Sequence, residues 1–224
     1  MSDYSDRVLL TVHGIWSEND RLAKMRQYCQ QSLAGLVVDS FSFGKVYPRQ
    51  HTDHQTLSLV FLVIREKIEL VYLKHVKGTG RKFFVVAHSL GTLGVLKAIE
   101  DHVDAKIDGL ILLGSVVPRN QYWDGHVQNG ALKNPVLAII RPFDRVVRGA
   151  AYVGGDASGA LGFVTNGVYP PIQTYKSGGH GSYDPNDRED VVQAIVGGVR
   201  SVKTVAFHSW RKSLPWWQRA RLLL

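Results

Sequence analysis

Cysteine is almost absent: Cys29 is the single one in 224 residues. One thiol excludes an internal disulfide framework and any cysteine-rich metal site. Long apolar runs are missing too. None approaches the ~20 residues that a bilayer-spanning helix needs. Met1 to Arg7 is polar and flanked by acids, with no apolar core of a secretory signal, so a cytoplasmic location is expected. Acidic residues run out early. After Asp190 there is none, whereas Arg200, Lys203, Arg211, Lys212, Arg219 and Arg221 follow. Of the 27 basic residues, 21 remain against 19 acidic ones when these six are set aside. The formal charge of +8 therefore describes a nearly neutral body, +2 over residues 1–190, with a cationic end. A nucleic-acid partner is not expected, because the basic residues are few and confined.

What is present fits a folded domain. The chain is 45% hydrophobic, too apolar for disorder, and its length suits one domain with a substantial core. Short apolar runs alternate with longer amphipathic stretches. Val8–Val12, Leu36–Phe43, Lys82–Ala87, Ile107–Leu113, Val136–Ile140 and Ile172–Tyr175 read as buried strands. Helices are expected around Cys29, over His54 to His75, over Leu90–His102 and over Pro185–Gly197. In the second of these, Leu57, Phe61, Ile64, Ile68, Val71 and Tyr72 recur at spacings of three and four. In the last, Asp187 and Glu189 occupy the first turn and complement the helix dipole. The alternation predicts an α/β domain, its central sheet of about six strands mostly parallel, with helices on both faces. The glycine-rich stretch Gly149–Gly167 reads as a long surface loop.

The strongest chemical signal is Phe83-Phe84-Val85-Val86-Ala87-His88-Ser89-Leu90-Gly91. An apolar strand runs into a small-x-Ser-x-Gly turn and then into a helix. Such a turn forces its serine into a strained conformation and lifts the hydroxyl above the sheet. The flanking positions must be small because other backbone crowds them. Gly91 fits, and Ala87 stands where glycine is commoner. On these residues the chain resembles the α/β-hydrolase family, and the resemblance covers nearly its whole length. Val8-Leu9-Leu10-Thr11-Val12-His13-Gly14-Ile15-Trp16 matches the family's strand ending in His-Gly.

The resemblance implies an α/β-hydrolase fold, with Ser89 as nucleophile and the backbone N–H groups of Ile15 and Leu90 as the oxyanion hole. His13 is then a residue that shapes the loop. The family's chain order is Ser, acid, His. His180, in Ser177-Gly178-Gly179-His180-Gly181, follows the last strand and is the expected base; His208 and His126 are its rivals. Asp144, in Asp144-Arg145-Val146-Val147 after the fifth strand, is the expected acid; Asp124 and Asp156 are its rivals. Trp16, His88, Tyr122 and Trp123 are expected at the substrate pocket, with plain core packing as the other reading of Trp16. The family's substrate-covering cap would fall in Gly114–Asn134, which is too short for a large one.

Other features read as structural. His51 and His54, with Asp53 between them, read as an exposed cap region at a helix start with no further metal ligand evident, and no metal or cofactor is expected. Gly78-Thr79-Gly80 lacks the lysine of a phosphate loop and reads as a turn. Gly91 and Gly94 let the elbow helix pack close to the sheet. Cys29 reads as a small core residue.

The implied activity is hydrolysis of carboxylic esters, of small or accessible acyl groups, through an acyl-enzyme. A thioesterase or interfacial lipase of the same fold is the alternative, and a non-catalytic binding module is the reading of another class. That last reading expects loss of the elbow or of a triad member, and neither is lost. Residues 1–202 are expected to form the catalytic domain and residues 203–224 a cationic, tryptophan-bearing segment. Phe207, Trp210, Trp216 and Trp217 in that segment fit peripheral contact with an anionic membrane, or packing on the body or a second subunit. Pro215 can open a short helix there.

Overall fold

The computed structural model describes residues 2–14, 22–41, 54–101, 103–154, 158–164, 167–180, 185–203 and 205–221. Six strands form one sheet: β1 (Arg7–Val12), β2 (Val37–Phe41), β3 (Lys82–His88), β4 (Gly109–Leu113), β5 (Leu137–Ile140) and β6 (Ile172–Tyr175). Their order is β2-β1-β3-β4-β5-β6, and every pairing is parallel. Parallel neighbours need crossovers, and helices supply them: α1 (Ala23–Ser32), α2 (His54–His75), α3 (Leu90–Glu100), α4 (Asp124–Gln128), α5 (Arg145–Gly154) and α6 (Ser158–Leu161). After β6 come α7 (Pro185–Gly197), a 3₁₀ turn at Val199–Ser201, α8 (Phe207–Ser213) and α9 (Trp216–Arg221).

The inner strands β1, β3, β4 and β5 are buried on both faces, which is why they read as apolar runs, whereas β2 at the sheet edge is half-buried and carries Asp39 and Ser40. Side chains alternate between two cores. Val8, Leu10 and Val12 of β1 join Phe83, Val85 and Ala87 of β3 under α2 and α3. Leu9, Phe84 and Val86 turn the other way, toward Met25 and Cys29 of α1 and Val191 and Ile195 of α7. On α2, Ile64, Ile68 and Val71 are buried as the spacing predicts.

Two expectations need correction. Gly149–Gly167 is not one long loop, because α5 and α6 occupy much of it. The reason is Asp144, whose Oδ1 accepts the amides of Val146 and Val147 at 3.0 Å each and so starts α5 despite its glycines. Gly94, moreover, serves a helix–helix contact rather than a helix–sheet one. A Cβ there would lie 2.3 Å from Ile64 Cδ1 of α2.

The strand order reverses at β1, whose neighbours are β2 on one side and β3 on the other. Parallel α/β sheets place their ligand sites at such a switch point, beyond the carboxyl ends of the strands. The register pairs Val12 with Ala87, which brings His13-Gly14 beside His88-Ser89. Among the described residues, no helix is long and apolar enough to cross a membrane.

Candidate active site

Ser89 stands between β3 and α3 with φ 54° and ψ −128°. It is the one non-glycine residue with positive φ among the described residues. A serine does not adopt this conformation unless its surroundings impose it. Several bonds do so. Ser89 N–H donates to the Leu113 carbonyl at the end of β4 (3.0 Å). The Ser89 carbonyl accepts Thr92 Oγ1 (2.6 Å), and Thr92 Oγ1 accepts the amide of Val116 (3.2 Å). Thr92 is fully buried, so this clamp joins the elbow to the loop after β4.

Two glycines admit the close approach of β1 to the elbow. A Cβ on Gly91 would lie 2.4 Å from the His13 carbonyl oxygen. One on Gly14 would lie 2.5 Å from Ser89 Cβ. Leu90 opens α3, so its N–H belongs to the first-turn amides that no helical carbonyl reaches. Ile15, Trp16, His51, Asp53 and Asp156 lie outside the described residues.

His180 arrives from the segment after β6. Its Nε2 lies 3.0 Å from Ser89 Oγ, and its Nδ1 lies 2.9 Å from Asp144 Oδ2. Asp144 is fully buried, with Oδ1 held by the amides of Val146 and Val147 and Oδ2 left for the imidazole. An acceptor on Nδ1 fixes the proton there and leaves the Nε2 lone pair facing the serine hydroxyl. Ser89, His180 and Asp144 thus form one hydrogen-bonded chain. It spans sequence separations of 91 and 36 residues.

Supporting contacts surround this chain. His88 is buried, and its Nε2–H donates to the His180 carbonyl (3.1 Å), with the two rings 4.7 Å apart. His88 therefore holds the backbone of the His180 loop. Gly114, at φ 51°, backs onto the imidazole; a Cβ there would lie 3.2 Å from His180 Nδ1. Buried Arg141 donates to the Ser177 carbonyl and to the buried carboxylate of Asp187. One guanidinium thus ties the end of β5, the loop that leads to His180 and the start of α7. Sequence reasoning placed Asp187 as a dipole partner and missed this ion pair. The signal available was an arginine directly after an apolar strand, where a charge needs a buried partner.

The rivals lie elsewhere. Asp124 Oδ2 and Oδ1 accept the amides of Val168 (2.6 Å) and Tyr169 (2.9 Å). His126 lies on α4 against Trp123. His208 is exposed on α8. Trp123, expected at the pocket, is a core residue. It is 2% exposed and packs edge-on against Phe163 at 5.7 Å. Tyr122, by contrast, is 58% exposed. Between β4 and β5 the only helix is α4, of five residues, so no large cap occupies that place. Among the described residues no group of three or more His, Cys, Asp or Glu side chains could hold a metal.

No family profile and no curated protein matches the sequence. Solved structures do match the fold. Esterase PE8 superposes with TM-score 0.56 at 12% identity, over 90% of this chain and 96% of its own. The monoacylglycerol lipase of Paleococcus ferrophilus gives 0.52 at 16%, over 89% and 96%. An arylesterase gives 0.52 at 9%, over 90% and 78%.

Proposed function

We propose that this chain, which has the α/β-hydrolase fold, is a serine hydrolase that cleaves carboxylic esters through an acyl-enzyme. One observation carries the reading: the Ser89–His180–Asp144 hydrogen-bonded chain, with Ser89 held at positive φ on the switch point of the sheet. The similarity of the fold to esterases and a lipase agrees with it.

The steps follow from the proton positions. Ser89 Oγ attacks the ester carbonyl while His180 Nε2 takes its proton. Asp144 keeps the imidazole oriented and stabilises the imidazolium. The oxygen that gains charge is met by the amide of Leu90 at the head of α3, with the amide of Ile15 as the second donor that the resemblance implies; one such donor is worth roughly 3–4 kcal/mol. Collapse expels the alcohol, which takes the proton from His180. Water then attacks the acyl-enzyme by the same route, releasing the acid and restoring Ser89.

The absence of a large cap between β4 and β5 favours short or accessible acyl groups. Turnover of p-nitrophenyl esters of increasing chain length measures that preference. The nucleophile is tested by fluorophosphonate labelling: wild type labels, and Ser89→Ala does not. His180→Ala is expected to lose at least about a thousandfold in ester turnover. Equal labelling of Ser89→Ala, or near-normal turnover of His180→Ala, would remove the reading.

A further inference from the structure

The four aromatic side chains of the C-terminal segment divide into two pairs. Phe207 and Trp210 turn inward. Their rings lie 5.3 and 6.0 Å from Tyr175, at the end of β6, and Trp210 lies 6.0 Å from Phe143, beside Asp144. Trp210 is 8% exposed. This pair anchors α8 to the body. Trp216 and Trp217, on α9, are 79% and 46% exposed.

Among the described residues that line the cavities at this end, the charged side chains are all basic. A cavity of about 370 Å³ is lined, among the described residues, by His208, Arg211, Lys212 and Arg219. A second, of about 660 Å³, is lined by Arg145 and Arg148 together with Phe143, Trp217, Gln218 and the run Ser177–Gly179. Consecutive residues of α9 serve both: Trp217 and Gln218 in one, Arg219 in the other. No acidic side chain lines either among the described residues, and residues 191–224 contain no Asp or Glu.

We infer that the α8–α9 end of the molecule is a docking surface for an anionic lipid bilayer. Indole rings at a protein surface suit the headgroup level, where one edge is apolar and the other wet. The arginine and lysine charges stand on aliphatic stems that lie along acyl chains while the heads reach phosphates. A second copy of the same face is disfavoured, because an isologous contact would bring like charges together. Nucleic acid is disfavoured by the small footprint, two helices of seven and six residues. The second cavity is walled by the residues that lead into His180 and that bracket Asp144, so a docked bilayer would adjoin the catalytic loops. The docking itself does not depend on the proposed esterase activity.

The test is co-sedimentation of the full chain with vesicles of phosphatidylcholine alone and of phosphatidylcholine with about a third phosphatidylglycerol. At about 0.1 M salt the protein is expected to pellet with the anionic vesicles and not with the neutral ones. Binding should fall steeply by about 0.5 M salt. Each basic charge removed near the surface is worth about fivefold in partition, so Arg211→Gln with Lys212→Gln should lose about twenty-five-fold. Trp216→Ala, at an exposed position, should weaken binding while leaving circular dichroism and turnover of a dispersed short-chain ester unchanged. Ser89→Ala should bind as wild type does, which separates the docking from the chemistry. Failure of wild type to pellet with anionic vesicles at low salt would overturn the inference. So would equal binding by the Arg211/Lys212 variant, tighter binding to an oligouridine RNA than to vesicles, or a dimer in sedimentation equilibrium that Trp216→Ala dissolves.

Discussion

At the scale of single residues, Ser89 holds a conformation that costs about 1–3 kcal/mol. The cost is offset by the buried clamp through Thr92 and by the Leu113 carbonyl, which make any relaxed backbone lose bonds. The small neighbours are as specific as the serine. Gly14→Ala would place a Cβ 2.5 Å from Ser89 Cβ, which no rotamer change relieves. A displacement of about 1 Å at a reacting group costs on the order of a hundredfold. Gly14→Ala is therefore expected to lose at least about a hundredfold in ester turnover while remaining folded by circular dichroism. Gly125→Ala, where nothing lies within 4 Å, serves as the control and should retain full turnover. Serine, glycines and strand context were legible because they are contiguous. Trp123 was misplaced for the opposite reason: a tryptophan in a loop has no periodicity to say which way it faces, and Phe163, its partner, comes from the segment after α6.

At the scale of elements, α2 was readable because apolar residues recur at spacings of three and four along it, and the start of α7 because Asp187 and Glu189 suit a first helical turn. The break between α5 and a loop was not, since glycines argue against helix and only the Asp144 cap shows where one begins. The joints between elements depend on partners far apart in sequence. Arg141 and Asp187 are one such joint, both buried, holding β5, α7 and the Ser177 carbonyl together. Removing one member of a buried pair leaves an uncompensated charge and costs about 3–5 kcal/mol. Asp187→Ala is expected to lower stability by that amount in urea titration, and to lower turnover further because the loop before His180 loses its anchor. An unchanged midpoint would mean that the pair is solvated.

At the scale of the whole molecule, the sheet separates two apolar cores, and Cys29 lies in the one beneath α1 and α7. Burial pushes its thiol from 9.0 up to about 12. The sign follows directly. The unfolded thiol ionises first, so the folded state is progressively disfavoured as pH rises through about 9 toward 12, with little effect below about 8. Cys29 should not react with a disulfide reagent at pH 8 in the native protein, and should react fully in denaturant. The fall in urea midpoint between pH 8 and pH 10.5 should be smaller in Cys29→Ala than in wild type. Rapid native labelling would contradict the burial.

What the amino-acid sequence determined by itself was local: strands as apolar runs, helices as spaced faces, a small-x-Ser-x-Gly turn between them, and a cationic end without acids. These depend on periods of two and 3.6 residues and on neighbours within a few positions. The resemblance named His180 and Asp144 as the expected partners of Ser89; the tertiary structure alone supplied the distances among the three, the pairing of Arg141 with Asp187, and the inward turn of Trp210 beside an exposed Trp216. Those arrangements rest on distances across the sheet. They are set by strand order and register, which bring residues 91 positions apart to 3.0 Å and which no local pattern encodes.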